Sequence, residues 1–217
     1  MRRIIVFFTA IVLSCGLYAQ SFKMTGNLNF LKSESEIGVI FTENGLRIGK
    51  MTEADYINKK VSEYNVKRAG RGDKWLAAWQ NDKETRFYPK FIELFNKRLK
   101  NKQLTIGDGG RYLMIVNTDF IEPGFNKGAA RRNIIIDNDN DNVSISVRKA
   151  DRKNSVVNLT IRFINPNTNE ELAVIIVKRA SANDFWGTDF DDAYRIQESF
   201  GKAGRELAKF LIKKGGL

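Results

Sequence analysis

Histidine is missing from this 217-residue chain altogether, and cysteine occurs once, at Cys15. The first absence removes the commonest general base and the usual zinc ligand together. The second excludes disulfides, and because Cys15 falls in the leader described below, it also takes thiolate nucleophiles and thiolate metal sites out of the folded domain. Only three prolines are present, too few for a long extended linker. No repeat with a period of roughly 20–50 residues is visible, which excludes solenoids and propellers. Beyond the first twenty residues no apolar run approaches the ~18 residues that a membrane-spanning helix needs. Neither a Walker loop nor a dinucleotide glycine fingerprint occurs. Gly107-Asp108-Gly109-Gly110 is rich in glycine, but a strand follows it, whereas a phosphate cradle needs a helix there.

What is present is ordinary for a folded protein: 42% hydrophobic and 28% charged residues, in a length that suits one domain with a sizeable core. The formal charge is +11, or +9 once Arg2 and Arg3 are set aside. Those two arginines open a three-part leader. Met1-Arg2-Arg3 is its positive start, Ile4 to Leu13 its apolar stretch, and Tyr18-Ala19-Gln20 supplies a small residue for cleavage. The pattern predicts a signal peptide over residues 1–19 and a single domain over 20–217, exported to the periplasm or outer membrane. Val12-Leu13-Ser14-Cys15 offers a second route, a lipid anchor on Cys15, but bulky Leu13 fits that box poorly and cleavage after Ala19 is preferred. An exported basic protein does not meet nucleic acid. Its positive charge then reads as solvated lysine faces or as a surface for anionic lipid or lipopolysaccharide.

Along the mature chain, residues 28–50 read as strands, with Asn44-Gly45 as a turn between apolar runs. Thr52 reads as the cap of a helix that carries Ile57, Val61 and Tyr64 on one face. A basic glycine-bearing loop, residues 66–73, precedes a short helix with Trp75, Leu76 and Trp79. Tyr88, Phe91, Ile92, Phe95 and Leu99 recur at helical spacing, with Pro89 suited to a first turn. Tyr112 to Phe120 reads as a strand ended by a turn at Glu122-Pro123-Gly124, and residues 125–142 as a polar excursion. Val143-Ile145-Val147 and Val157-Leu159-Ile161-Phe163 alternate as half-buried strands, and a turn at residues 165–169 leads to a returning strand, Leu172 to Val177. Ala193, Ile196, Phe200, Ala203, Leu207 and Phe210 make one stripe of a final helix. Its Gly201 and Gly204 read as permitting close approach to the sheet, with a partner helix as the other possibility. The order predicts an α+β fold, a mostly antiparallel sheet with helices packed on one face.

Few residues suggest chemistry. Asp137, Asp139 and Asp141 place oxygens at the first positions of a calcium-type loop, but Arg148 stands where the closing glutamate belongs, so no metal or other cofactor is expected. Glu122, Asp184 and Asp189, with Trp186 nearby, are the acids that a glycan hydrolase could draw on; no spacing pairs them. The candidates for contact with an anion or a partner are Lys67, Arg68, Arg71, Trp75, Trp79, Arg131 and Arg132.

The stretch from Tyr112 to Phe120, followed by Glu122-Pro123-Gly124, resembles small bacterial envelope proteins of the curli-secretion-subunit and TolB-N-terminal-like type. The likeness extends over residues 112–214, through Val157–Phe163, Asn165–Glu170, Leu172–Val177 and the helix with Ala203, Gly204, Leu207, Ala208 and Leu211. It implies a non-enzymatic accessory protein that acts through surfaces on other envelope proteins. Pore formation is not expected, because no pair of long amphipathic hairpins stands out. The alternatives are a carboxylate hydrolase of envelope glycan and a binder of anionic lipid or lipopolysaccharide.

Overall fold

A computed structural model describes residues 20–100, 102, 104–127, 132–137, 142–147, 151–182 and 192–217, with no account of side chains between 126 and 152. The proposed signal peptide and Cys15 lie outside the described residues. An edge strand, β1 (Ser21–Gly26), comes first, then a 3₁₀ turn (Asn29–Ser33) and β2 (Glu36–Thr42). Two short strands follow, β3 (Arg47–Ile48) and β4 (Met51–Thr52), and then α1 (Glu53–Lys67) and α2 (Arg71–Asp82). A π-helical turn, Lys83–Phe87, joins α2 to α3 (Tyr88–Leu99), and β5 (Thr105–Gly107) leads to β6 (Leu113–Glu122). Next come β7 (Phe125–Lys127), β8 (Arg132–Asp137), β9 (Asn142–Val147) and β10 (Asp151–Lys153). The chain closes with β11 (Val156–Asn165), β12 (Glu170–Ala180) and α4 (Asp192–Gly215).

The main sheet has eight strands, with the path β1-β12-β11-β6-β2-β5 and β3 and β4 beside it. Four pairings are antiparallel, β1/β12, β12/β11, β11/β6 and β3/β4, while β2 runs parallel to both β5 and β6, and β3 parallel to β6. This is the α+β fold that the element order predicts. Period-two alternation decides what each face carries. Met114, Val116, Leu159, Ile161, Phe163, Ile175 and Val177 are buried, under α3 and α4, which pack on each other and lie on this side. No described helix covers the other face, where Ile40 is 44% exposed and Ile115, Val174 and Ile176 are half-buried.

Several local expectations change. Leu28 and Phe30 belong to the 3₁₀ turn and its approach, not to a strand, and β1 precedes them. Gly45 has the positive φ (72°) that its turn needs, but no hairpin results. β2 pairs with residues 113–117 of β6, and β3 resumes alongside Phe120 and Ile121 of the same strand. Asn44-Gly45 is thus a detour in one interrupted strand. Asn117 holds the gap: its Oδ1 accepts from Thr42 Oγ1 and Asn44 N (both 2.8 Å), and its Nδ2 donates to Asp119 (2.7 Å). Pro89 does not open a free helix, because α2 continues through the π turn into α3. Lacking an N–H for the carbonyl four residues back, it lies where the helix is widened. Glu122-Pro123-Gly124 is a kink, not a reversal, for β7 pairs with β10 just beyond it. A Cβ on Gly124 would lie 2.2 Å from the Lys153 carbonyl oxygen.

The polar excursion holds a hairpin. β8 and β9 pair from Arg132↔Val147 to Asp137↔Asn142, nested inside β7/β10, itself nested inside β6/β11. Neither inner ladder joins the eight-stranded sheet.

The close approach permitted by the α4 glycines is to α3. A Cβ on Gly204 would sit 2.3 Å from the Phe91 carbonyl oxygen, and one on Gly201 would meet Leu94 at 2.8 Å. α4 ends at Gly215, and Gly216 just beyond it takes the positive φ (69°).

Candidate functional site

The basic loop lies at the tip of an α-helical hairpin. α1 starts on Thr52, whose Oγ1 accepts from the Asp55 amide (3.1 Å). α2 starts on Gly70 in the left-handed region (φ 75°). Between them Arg68 is extended, and its carbonyl accepts from the Arg71 amide (3.1 Å). Gly72 lets the helices close up: its amide donates to Asn65 Oδ1 (2.7 Å), and a Cβ there would be 2.4 Å from the Val61 carbonyl oxygen. The tip is therefore a built turn. α1 and α2 pack mainly on each other, and among the described residues α1 also touches β3 and β4 and reaches the start of α4 through Lys60 and Asp192 (3.7 Å).

An aromatic column runs from the core outward. Phe87 stacks on Phe200 in the core (5.5 Å between centroids), Trp79 meets Phe87 (6.2 Å), Trp75 stacks on Trp79 (5.7 Å), and Tyr64 lies beside Trp75 (6.0 Å). Trp79 is only 4% exposed, and its indole N–H donates to Glu53 Oε1 (2.9 Å). It is thus a core residue and not the surface contact expected, whereas Trp75 is half-buried. Lys83 locks the base, donating to Glu53 (2.6 Å) and to Glu43, and the Tyr88 hydroxyl donates to the other Glu43 oxygen (2.7 Å). Burial first, and the Glu43 hydrogen bond next, push the Tyr88 hydroxyl well above its usual pKa, so it remains a donor. These two carboxylates thus share one lysine.

At the tip, Lys67, Arg68, Arg71 and Lys74 are all exposed, and among the described residues none of them has a carboxylate within ion-pair distance. Lys67 and Arg71 both stand against the Tyr64 ring, 5.5 and 5.2 Å from its centroid. Arg68, Ala69, Gly70, Arg71 and Lys74 line a concavity of about 310 Å³. Val66, beside them, is 85% exposed. The structure thus brings Lys67, Arg68 and Arg71 together, with Trp75 just behind, and adds Lys74 and Val66, which sequence reasoning missed. Lys74 lies one helical turn from Gly70, and that spacing could have been read. Val66 reads in the sequence as part of the basic loop, whereas it belongs to the last turn of α1.

Arg131 lies outside the described residues. Arg132 opens β8, where only its backbone pairing with Val147 is defined. Asp184, Trp186 and Asp189 lie outside the described residues, as do Asp139, Asp141 and Arg148 of the calcium-type loop. Glu122 pairs with Lys153 (2.7 Å). Among the described residues no group of three or more metal-ligating side chains gathers, and no helix is long and apolar enough to cross a membrane. The glycine-rich segment 107–110 wraps Glu36 instead of a ligand: the Gly109 amide donates to its carboxylate (3.3 Å), and Gly110 (φ 106°) presses on its backbone.

No protein-family model matches the sequence, and no curated protein does. Among solved structures, the chain is similar to a PelC dodecamer from Paraburkholderia phytofirmans, at 10% identity and a TM-score of 0.35 over 88% of this chain and 98% of that one. It is also similar to a PDZ domain protein from Parabacteroides distasonis, at 10% identity and a TM-score of 0.33 over 87% of this chain and 35% of that one. Overlaps this loose assign neither a family nor an activity.

Proposed function

We propose that this protein is an exported, non-catalytic accessory protein of the cell envelope that works by holding another envelope protein. The observation that carries the reading is the nested hairpin between β6 and β11. Its inner ladders pair only with themselves, so each of their four strands keeps one edge of backbone N–H and C=O groups that no described strand uses. Open edges of this kind are templates for an added strand, and an isolated two-stranded ribbon is marginal in water until something completes it. The leader supports export, and the resemblance over residues 112–214 supports an envelope role. The hub of Lys83 with Glu43 and Glu53 is consistent with this, since it uses carboxylates as structure.

The test compares the full mature chain with a variant in which residues 128–150 are replaced by a short glycine–asparagine turn. Both are used as bait in detergent-solubilised envelope. A defined partner retained by the full chain and lost by the shortened one, with both melting alike, is the expected result. Recovery of the same partner by the shortened chain would refute the ribbon as the contact. Turnover of envelope glycan by the purified protein would establish the hydrolase alternative instead.

A further inference from the structure

We infer that the tip of the α1–α2 hairpin docks on an anionic bilayer surface, with Lys67, Arg68, Arg71 and Lys74 against lipid phosphates and Val66 entering the interface. This site is separate from the ribbon, and the inference does not rest on it.

Three observations converge on the tip. The first is charge. Residues 59–74 carry six basic residues against Glu63 and Asp73. Glu63 lies near Lys59 (3.9 Å), and Lys60 is turned toward Asp192 (3.7 Å), which leaves the four tip cations to face outward with exposed Asp73 as the sole acid of the turn. Cations that a fold needs for its own stability are usually paired, and here the paired ones are at the base. The second is Val66. It is the most exposed large apolar side chain among the described residues, and it lies in the last turn of α1 next to Lys67 and Arg68. One exposed valine alone means little. An exposed apolar residue followed in the chain by lysine and arginine is an arrangement in which a surface-bound element can place its apolar atoms below the headgroups and its charges among them. The third is preparation of the site. Tyr64 gathers Lys67 and Arg71 on its ring, and the Asn65–Gly72 hydrogen bond sets the turn. The cations are therefore held together before any ligand arrives, which lowers the ordering cost of binding.

The concavity between Arg68, Gly70, Arg71 and Lys74 has room for a phosphate group, and that chemistry is shared by a lipid headgroup and a free phosphate. Val66, exposed next to Lys67 and Arg68 in the chain, favours the lipid.

The test is co-sedimentation of the full mature chain with phosphatidylcholine vesicles and with phosphatidylcholine–phosphatidylglycerol vesicles. Binding to the anionic vesicles alone, weakening as salt shortens the Debye length from about 10 Å at 0.1 M, is expected. Each basic residue near an anionic surface contributes about fivefold, so Arg68→Gln together with Arg71→Gln should weaken binding roughly 25-fold with an unchanged melting curve. Val66→Ser should weaken it several-fold at a salt concentration where charge is screened. Equal binding by the double variant, or equal binding to both vesicle types, overturns the proposal. So does failure of the parent chain to sediment with either. Displacement by millimolar inorganic phosphate would also overturn it, by showing a pocket for a lone phosphate instead of a surface contact.

Discussion

Single residues of this fold are constrained most where α3 and α4 meet. Phe200 is 1% exposed, stacked on Phe87 and edge-on to Tyr88, so it joins the sheet-side core to the base of the helical hairpin. Phe200→Ala should lower stability by about 3–5 kcal/mol, the range for a large buried aromatic, as read from denaturant unfolding. A parent-like midpoint would show that the stripe is not packed as described. Gly204→Ala carries a different penalty. Alanine gains up to about 1 kcal/mol of helix propensity, but its Cβ would meet the Phe91 carbonyl oxygen at 2.3 Å, backbone that cannot rotate away. Net destabilisation of roughly 1–3 kcal/mol is expected. Glu206 offers a test by pH. Burial raises its pKa, but hydrogen bonds and charge from Lys209 and Lys202 outweigh burial and hold the carboxyl below its usual range. A depressed folded pKa contributes stability above the unfolded value and loses it as pH falls through the folded one. Glu206→Gln should therefore cost about 0.5–1 kcal/mol near neutrality and nothing in acid below the carboxylate range. A deficit that persists unchanged in acid would contradict the charge-based account.

At the scale of elements, the interruption between β2 and β3 shows how one side chain replaces a missing ladder. Asn117 accepts from Thr42 and Asn44, donates to the Asn44 carbonyl (3.2 Å) and to Asp119, and Asp119 in turn accepts from Thr160 (2.7 Å). Asn117→Ala strands several of these groups, and an unpaired, partly buried donor or acceptor costs about 1–3 kcal/mol. The expected outcome is a loss in that range, with faster amide exchange confined to residues 42–48. Uniformly faster exchange throughout the sheet would show instead that the detour is not a local unit. The hairpin α1–α2 was legible as two helices from Thr52, the glycines and the tryptophans. Which of its side chains join the core was not, because hydrophobic spacing reports which face of a helix is apolar and not what covers that face. Trp79 illustrates the point. Its composition suggested a surface contact, and only the positions of Glu53 and Phe87 showed it to be core. The π turn was likewise invisible, since Pro89 suits a helix start as well as a widened turn.

For the molecule as a whole, the signal peptide expected over residues 1–19 predicts a mature chain that begins at or near Gln20. Intact-mass measurement of the exported protein checks this, and a mass carrying acyl chains on Cys15 would establish the lipid-anchored route. Alternation at two residues and at three to four residues along the chain determined the kinds of element, the meander β11–β12 and the apolar stripe of α4, because burial of one face imposes those periods locally. The chain's inventory, without histidine and with one cysteine, also restricted its chemistry before any fold was known. Tertiary structure alone decided the parallel pairing of β2 with β5 and β6, the use of Gly201 and Gly204 against α3, the nested ladders within the polar excursion, and the burial of Trp79 against Phe87. The physical reason is the same in each case. Strand partners and helix neighbours are contacts between residues distant in sequence, chosen by how the whole chain buries its apolar surface, and no local pattern encodes that choice.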